Sequence, residues 1–213
     1  MRTMYFVGLD LGQRQDPTAT AVVEWKEYNG AWDAVAFDYR KETSLSLRYL
    51  ERMPLGTPYP EVVWEVGCTM RSRQLAGAER RHLVVDGTGV GPAVVDLLRQ
   101  EDLQGKLWPV TITGGDTERY ADGYYRVPKR DLVVGLQVLM QQGGLQIAEG
   151  MTEGAALVKE MAEMRVKVTG SGHEQFGAWR EGEHDDLVLA VALACWGVRR
   201  VAPRVRRPQG RLV

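Results

Sequence analysis

The stretch that decides the fold is Tyr5–Asp16, YFVGLDLGQRQD, an apolar run that ends on a carboxylate and then turns. Residues 5–9 are mostly aromatic or branched apolar side chains, which are typical of a strand inside a sheet. Gly8 lets another backbone approach this strand closely. Asp10 ends it, and a charge at the end of a buried strand costs free energy unless a cation such as a metal ion pairs with it. An Asp can also simply end a strand. A metal-binding role for Asp10 is therefore supported only if other acids follow strands at comparable positions in the sequence.

A second strand-like run also ends on an acid. Residues 82–86, HLVVD, close on Asp86, and the turn GTGVGP leads from there into a predicted helix. A hairpin and a helix separate the two runs, a connection that makes their strands parallel neighbours. We therefore expect Asp10 and Asp86 to lie side by side, although Asp86 could also only start a turn.

A third acidic position precedes the most apolar segment of the chain. His184, Asp185 and Asp186 are followed by LVLAVALACWGV, which is apolar nearly all round and predicts a helix buried against the sheet. Either Asp could be only a helix N-cap. If this helix packs across the end of the sheet, three or four carboxylates converge, and oxygen ligands of this kind suit Mg²⁺ or Mn²⁺. Two such ions can activate a water and stabilise the leaving oxygen of a phosphodiester.

The other segments predict further strands and helices around these acids. Tyr28-Asn29-Gly30-Ala31, between strand-like runs at 18–25 and 32–39, predicts a hairpin turn and hence a three-strand antiparallel meander. Residues 45–58 have the composition of a loop, and residues 114–126 predict a mobile loop beside a site. Helices are predicted at about 60–76, 93–99, 129–141 and 153–164, and strands at 107–113, 145–148, 165–169 and 175–179.

Composition narrows the class of protein. A chain of 213 residues that is 44% hydrophobic can bury a sizeable core, and one domain is the default. The net charge of −1 creates no global attraction to nucleic acid, so DNA binding would depend on local patches. Two cysteines without metal-ligand spacing suit a reduced, intracellular compartment. No signal peptide and no apolar run of membrane-spanning length is visible.

Four segments, in order, resemble the nuclease domain of the large terminase subunit of tailed bacteriophages, an RNase H-like fold. They begin at residues 8, 82, 127 and 184 and read GLDLGQRQDPTATAVV, HLVVDGTGVGPAVVDLL, VPKRDLVVGLQVLMQ and HDDLVLAVALA. The resemblance extends to about Val198, so we expect a nuclease domain at 1–198 and a basic tail at 199–213. It implies an α/β fold in which helices flank a mixed sheet with the antiparallel meander and parallel strands.

The resemblance also implies an activity and a site. Asp10, Asp86 and Asp185 would be the metal-binding acids, and Asp186 an additional or alternative ligand. The chain would be a metal-dependent endonuclease, with two Mg²⁺ or Mn²⁺ ions, that cleaves double-stranded viral DNA concatemers during genome packaging. Its partners would be double-stranded DNA, the terminase ATPase domain, the small subunit and the portal or procapsid. It would act in the host cytoplasm and be a monomer in isolation.

One departure from the family pattern concerns the motor. A complete large terminase also carries an ATPase with a phosphate-binding loop, yet no G-x-x-x-x-G-K-[ST] occurs here, since Leu107 follows Gly105-Lys106. The chain is therefore expected to be either the isolated nuclease half or a stand-alone relative, without motor activity.

Several basic residues are candidates for contact with DNA phosphates. Lys129 and Arg130 begin a predicted helix, and Arg119 and Arg126 lie just before it. His184 could orient a ligand or a phosphate. The alternative for each is solvated surface charge. The Arg-rich tail could contact DNA, the portal or the capsid, or could only aid solubility.

Other classes of protein remain possible from the sequence. GTGVGP lacks the dinucleotide-binding spacing, whereas GLDLGQ resembles the first phosphate loop of actin-like sugar kinases and chaperone ATPases. A RuvC-type Holliday-junction resolvase shares the RNase H-like fold and its acids. A non-catalytic DNA- or portal-binding module would show no Mg²⁺- or Mn²⁺-dependent loss of supercoiled plasmid, which distinguishes it from either nuclease.

Overall fold

An eight-stranded mixed sheet forms the centre of the protein. The computed structural model describes residues 1–12, 16–89, 91–168, 174–177 and 184–202. Its strands are β1 (Arg2–Asp10), β2 (Ala19–Asp33), β3 (Asp38–Arg52), β4 (Arg80–Asp86), β5 (Lys106–Thr113), β6 (Arg119–Ala121), β7 (Tyr124–Pro128) and β8 (Gln146–Ile147), with a separate antiparallel pair, β9 (Arg165–Val168) and β10 (Glu174–Gly177).

The strand order across the sheet is β6-β7-β5-β4-β1-β2-β3-β8. Strands β1, β2 and β3 form an antiparallel meander. Strand β4 lies parallel to β1, β5 parallel to β4, and β7 parallel to β5, while β6 is antiparallel to β7. The predicted combination of a three-strand meander with parallel neighbours is therefore confirmed, and β1, β4, β5 and β7 all end at one edge of the sheet.

In the described part of the chain, five helices cover the two faces of the sheet. They are α1 (Tyr59–Arg71), α2 (Gly91–Gln100), α3 (Lys129–Gln141), α4 (Gly154–Glu163) and α5 (Asp186–Val201). Helices α1 and α2 pack on one apolar cluster, which contains Val7 and Leu9. Helices α3, α4 and α5 lie over the other cluster, which contains Phe6 and Val84. None of the described helices combines the length and the apolar character needed to cross a membrane.

The last helix is buried as its composition predicts, with every residue from Asp186 to Val198 inside the protein. It can lie directly on β1 because Gly8 has no side chain. A Cβ at Gly8 would be 2.0 Å from the carbonyl oxygen of Ala190 and 2.8 Å from the backbone nitrogen of Ala194. The predicted close approach of a second backbone at Gly8 is confirmed.

The predicted hairpin turn at residues 28–31 is wrong. Strand β2 continues through Asn29 and Gly30, and the chain reverses at residues 34–37. A register irregularity between Asn29 and Trp32 absorbs the Asn-Gly pair inside the strand. Asp33 stabilises the turn instead, since its Oδ1 accepts hydrogen bonds from the backbone N–H groups of Val35 and Ala36.

Two predicted loops contain strands. Residues 45–52, predicted as part of a loop, form the last half of β3, and its inward-facing residues Leu45, Leu47 and Leu50 are buried. Strands β6 and β7 form a hairpin inside the segment predicted as a mobile loop. In both places the strand was missed although it pairs with a strand close to it in the sequence: β3 pairs with β2, and β6 pairs with β7.

The helix and strand bounds agree elsewhere within a few residues, except that α1 ends at Arg71 rather than near residue 76. The predicted boundary between nuclease domain and tail, at 198/199, falls inside α5. Residues 203–213 of the tail, the predicted turn at 170–172 and residues 178–179 of the last predicted strand lie outside the described residues. The division into domain and tail stays a prediction.

A buried histidine makes the stability of the fold dependent on pH. His82 on β4 is 4% exposed, stacks on Phe6 and accepts a hydrogen bond at Nδ1 from Trp108 Nε1, 3.1 Å away. Burial, and to a smaller extent the nearby cations Arg80 and Lys106, lower the pKa of His82 to about 4. The neutral ring is thus favoured in the folded protein.

Because the pKa of His82 is lower in the folded than in the unfolded chain, its contribution to stability is present above pH ~6.5 and lost as the pH falls toward 4. The variant His82→Gln keeps an acceptor for Trp108 but has no ring that can be protonated. Between pH 6.5 and pH 4 we therefore expect its free energy of unfolding to fall less than that of the wild type, by a difference of at most about 3 kcal/mol. Denaturant unfolding at several pH values measures the difference. Parallel stability profiles would contradict the expectation.

Candidate metal centre

The pleat of the sheet places two of the predicted acids on one face. Residues alternate between faces along a strand, so Asp10 shares the face of Phe6, and Asp86 shares the face of Val84. Both apolar residues contribute to the cluster under α5. Leu9 and Val85 are register partners of the parallel pair β1–β4, so the next residues, Asp10 and Asp86, end the two strands side by side.

The first turn of α5 brings the other two acids to the same edge. Asp185 is the N-cap residue of α5 and Asp186 is its first residue, and the positive end of the helix dipole favours negative charge at both positions. Asp10 is 8% exposed and Asp186 is 3% exposed. The four predicted acids therefore come from three distant parts of the sequence to one edge of the sheet.

The crowding of these acids changes their protonation. Burial raises the pKa of Asp10 well above its usual range, and repulsion from Asp86, Asp185 and Asp186 raises it further. Burial also raises the pKa of Asp86. Like charges in a site with little water favour either protonation or a cation. The edge of the sheet is therefore a site that a cation would stabilise.

Hydrogen bonds hold the Asp86 side chain in place. Its Oδ1 accepts the backbone N–H of Thr88 at 2.9 Å and the Thr88 hydroxyl at 2.5 Å. The Thr88 hydroxyl oxygen in turn accepts the backbone N–H of Ile112 on β5 at 2.9 Å. The Gly87-Thr88 turn after β4 thus orients the acid as well as ending the strand.

Two basic side chains neutralise the acids of α5. Lys129, the first residue of α3, places its Nζ 2.6 Å from Asp185 Oδ2. Arg52, the last residue of β3, donates from Nε to Asp186 Oδ2 at 2.7 Å and from Nη2 toward Asp186 Oδ1 at 3.4 Å. Strand β3 runs parallel to β1, so its end lies at the same edge as Asp10.

Glu160 adds a fifth carboxylate to the described part of the cluster. Glu160 on α4 is 6% exposed; its Oε1 forms an ion pair with Arg52 Nη2, and its Oε2 accepts the backbone N–H of Val188 at 3.2 Å. Burial and repulsion from Asp186 together raise the pKa of Glu160 to about 7, because the attraction of Arg52 offsets them only in part.

The carboxylates of Asp185 and Asp186 point toward Lys129 and Arg52 rather than toward a common metal position. Within the described part of the chain, no three Asp, Glu, His or Cys side chains are arranged to hold a metal ion as they stand. The chemistry of the four aspartates nevertheless fits magnesium, which prefers carboxylate oxygens as ligands. A cation would also offset the repulsion of Asp10 by the other three acids. In this structure Asp185 and Asp186 are instead neutralised by ion pairs with Lys129 and Arg52.

The other predicted site residues are spread more widely. His184 lies beside the cluster, with its Nδ1 3.9 Å from Asp186 Oδ1 and 4.0 Å from Asp16 Oδ1. Arg130 is near the same edge and pairs with Asp116 at 3.4 Å. Lys129 contacts an acid of the site, although the sequence suggested it only as a phosphate contact.

Arg119 and Arg126 are not part of the acidic cluster. They oppose each other across β6 and β7, and Arg126 pairs with Asp122. Because Val127 faces the α5 side of the sheet, the neighbouring Arg126 faces the opposite side. Their proposed contact with DNA is therefore separate from the carboxylates and stays a prediction.

Sequence reasoning missed Arg52 and Glu160. Arg52 lay in a segment predicted as a loop, and Glu160 lay on a predicted amphipathic helix where a charge is ordinarily solvated. A weak signal was available for Glu160, which occupies the helical spacing of the apolar face one turn after Leu157. Nothing in the local sequence marks Arg52.

Solved structures of phage nucleases are similar to this chain in fold. No protein-family model and no curated protein matches this sequence. Among solved structures, the large terminase nuclease from thermophilic phage G20c with bound magnesium is 22% identical, with a TM-score of 0.60 over 91% of this chain and 81% of that one. A second structure of the same nuclease has 21% identity and a TM-score of 0.58, over 90% and 81% of the two chains. The large terminase nuclease domain of Thermus phage P74-26 is 20% identical, with a TM-score of 0.55 over 90% and 78%.

The mixed sheet with helices on both faces is an RNase H-like fold. Within that class, the chain has the fold of the nuclease domain of phage large terminases. The predicted resemblance is thereby confirmed for the fold.

Proposed function

We propose that this chain is a metal-dependent endonuclease that cleaves double-stranded DNA concatemers during phage genome packaging, as the nuclease part of a large terminase. The observation that carries the proposal is the meeting of Asp10, Asp86, Asp185 and Asp186 at one edge of an RNase H-like sheet. The fold it shares with the G20c nuclease, whose structure contains magnesium, supports the same conclusion.

In the proposed site, Asp10, Asp86 and Asp185 hold magnesium or manganese, and Asp186 is an additional or alternative ligand. The chemistry supplied by two bound ions would be activation of a water molecule and stabilisation of charge on the scissile phosphate. The protein contributes rigid placement, because Asp10 is buried and Asp86 is held by Thr88. The Lys129 ammonium beside Asp185 is partly exposed, and we expect it also to contact a backbone phosphate of the DNA.

The proposal extends to partners and location. As the nuclease part of a terminase, this chain would act on double-stranded DNA together with the ATPase domain, the small subunit and the portal or procapsid, in the cytoplasm of the infected host. We expect Arg130, His184, Arg119 and Arg126 to make the weaker DNA contacts, and the isolated chain to be a monomer.

Cleavage of supercoiled plasmid tests the function directly. We expect the purified chain to convert supercoiled DNA to nicked and linear forms when Mg²⁺ or Mn²⁺ is added, and EDTA to stop the reaction. Gel electrophoresis over a metal titration measures this. Plasmid that stays supercoiled at every metal concentration would refute the nuclease and favour a binding module, whereas cleavage confined to four-way junctions would favour a resolvase.

A further inference from the structure

One arginine links three elements beside the acids. Arg52 at the end of β3 contacts Asp186 on α5 through two nitrogens and Glu160 on α4 through one. The Asp186 side chain is 4% exposed, that of Glu160 is 7% exposed and that of Arg52 is 25% exposed. The guanidinium therefore sits between two buried carboxylates, and removing it would leave both without their arginine partner.

Glu160 has a second role in the same cluster. The N-cap residue Asp185 makes no side-chain capping hydrogen bond, so the first turn of α5 has backbone N–H groups in need of an acceptor. Glu160 Oε2 accepts the N–H of Val188, two residues after Asp186. Glu160 thus holds both the helix end that carries Asp186 and the arginine that binds its carboxylate.

These contacts go beyond what stability alone requires. A buried ion pair is often no more stabilising than apolar side chains of the same volume. Here the pairs fix the side chain of an acid adjacent to Asp185 and close to Asp10. A planar guanidinium that binds two partners at once orients a carboxylate more strictly than an ammonium does.

We propose that Arg52 and Glu160 are positioning residues that orient Asp186 and the first turn of α5, and thereby set the geometry of the acids for DNA cleavage. The inference rests on the proposed nuclease function. Neither residue needs to touch DNA or metal, since both act through Asp186 and the backbone of α5.

The test compares Arg52→Gln, Arg52→Lys and Glu160→Gln with two matched controls. Arg40→Gln breaks an Arg–Asp pair at the far end of the same strand, where Arg40 Nε lies 3.1 Å from Asp33 Oδ2. Glu163→Gln makes the same change as Glu160→Gln three residues later on α4, at a weak pair with Lys159. Each variant is assayed for plasmid cleavage against Mg²⁺ concentration, for Mn²⁺ binding by calorimetry and for its melting temperature.

We expect the cleavage rate at saturating Mg²⁺ to fall about 10- to 100-fold in Arg52→Gln and Glu160→Gln, the range seen when groups that orient metal ligands are removed. Arg52→Lys should recover part of the rate. Mn²⁺ affinity should not weaken in Arg52→Gln, since loss of a positive charge leaves the site more negative. A purely structural role would lower the melting temperature and leave the rate of the folded fraction unchanged.

Rates equal to those of the two controls would overturn the inference while leaving the nuclease intact. If Arg52→Gln does not fold, Glu160→Gln, which keeps the shape of the side chain, and Arg52→Lys decide the question by the same rate comparison. A wild type that does not cleave DNA with either metal would overturn the proposed function, and this inference with it.

Discussion

Replacing Asp10 with Asn is expected to remove DNA cleavage and to raise the melting temperature of the metal-free protein. Asp10 is buried, and Asp86, Asp185 and Asp186 all repel its negative charge. The amide keeps the shape of the side chain and removes that repulsion, which stabilises the fold. It also removes a charged ligand from the proposed metal site, so we expect the cleavage rate to fall by at least about 100-fold.

Asp96→Asn is the matched control, because Asp96 is an exposed acid on α2 that pairs only with Arg99 among the contacts the structure describes. It should change neither the rate nor the melting temperature appreciably. Plasmid cleavage at saturating Mg²⁺ and thermal unfolding in EDTA measure the two effects. An Asp10→Asn protein that cuts DNA at the wild-type rate would remove Asp10 from the mechanism.

Replacing Gly8 with Ala is expected to destabilise the protein strongly. The added methyl group would lie 2.0 Å from the carbonyl oxygen of Ala190 and 2.8 Å from the nitrogen of Ala194, both backbone atoms of α5. A helix backbone cannot rotate away as a side chain can, so α5 must shift as a whole. We expect a loss of about 3 kcal/mol or more, which corresponds to a fall of roughly 6–12 °C in melting temperature for a chain of this size.

Because α5 carries Asp185 and Asp186, the same shift should lower DNA cleavage in the fraction that remains folded. Gly77→Ala serves as the control, since a Cβ there would meet no atom within 4 Å. Thermal unfolding of the two variants, followed by cleavage assays below the melting transition, separates the effects. A Gly8→Ala protein as stable as Gly77→Ala would show that α5 does not rest on β1 as described.

The parts of the fold that were predicted correctly depend on local patterns. The apolar runs before Asp10 and Asp86 predict strands, and the connection between them predicts parallel neighbours. The all-round apolar segment after Asp186 predicts a buried helix. In each case a few consecutive residues contain the signal, because periodicity and the choice of apolar side chains reflect burial.

The errors have an equally physical cause. Asn29-Gly30 has the composition of a tight turn, but pairing with β3 continues past it and Asp33 provides the turn's hydrogen bonds further on. Strands β6 and β7 are short, and a loop without a periodic apolar pattern separates them from β5, the strand that β7 pairs with. Strand pairing is a tertiary property, and local composition does not determine its extent.

By itself, the sequence determined where acids end strands and begin the buried helix, and hence which four carboxylates could meet. Only the tertiary structure decided which cations neutralise them: Arg52 reaches Asp186 across 134 positions of the sequence, and Lys129 reaches Asp185 across 56. The reason is that an apolar pattern reports the burial of each segment against the core, whereas an ion pair between distant segments depends on how three packed elements are oriented in space.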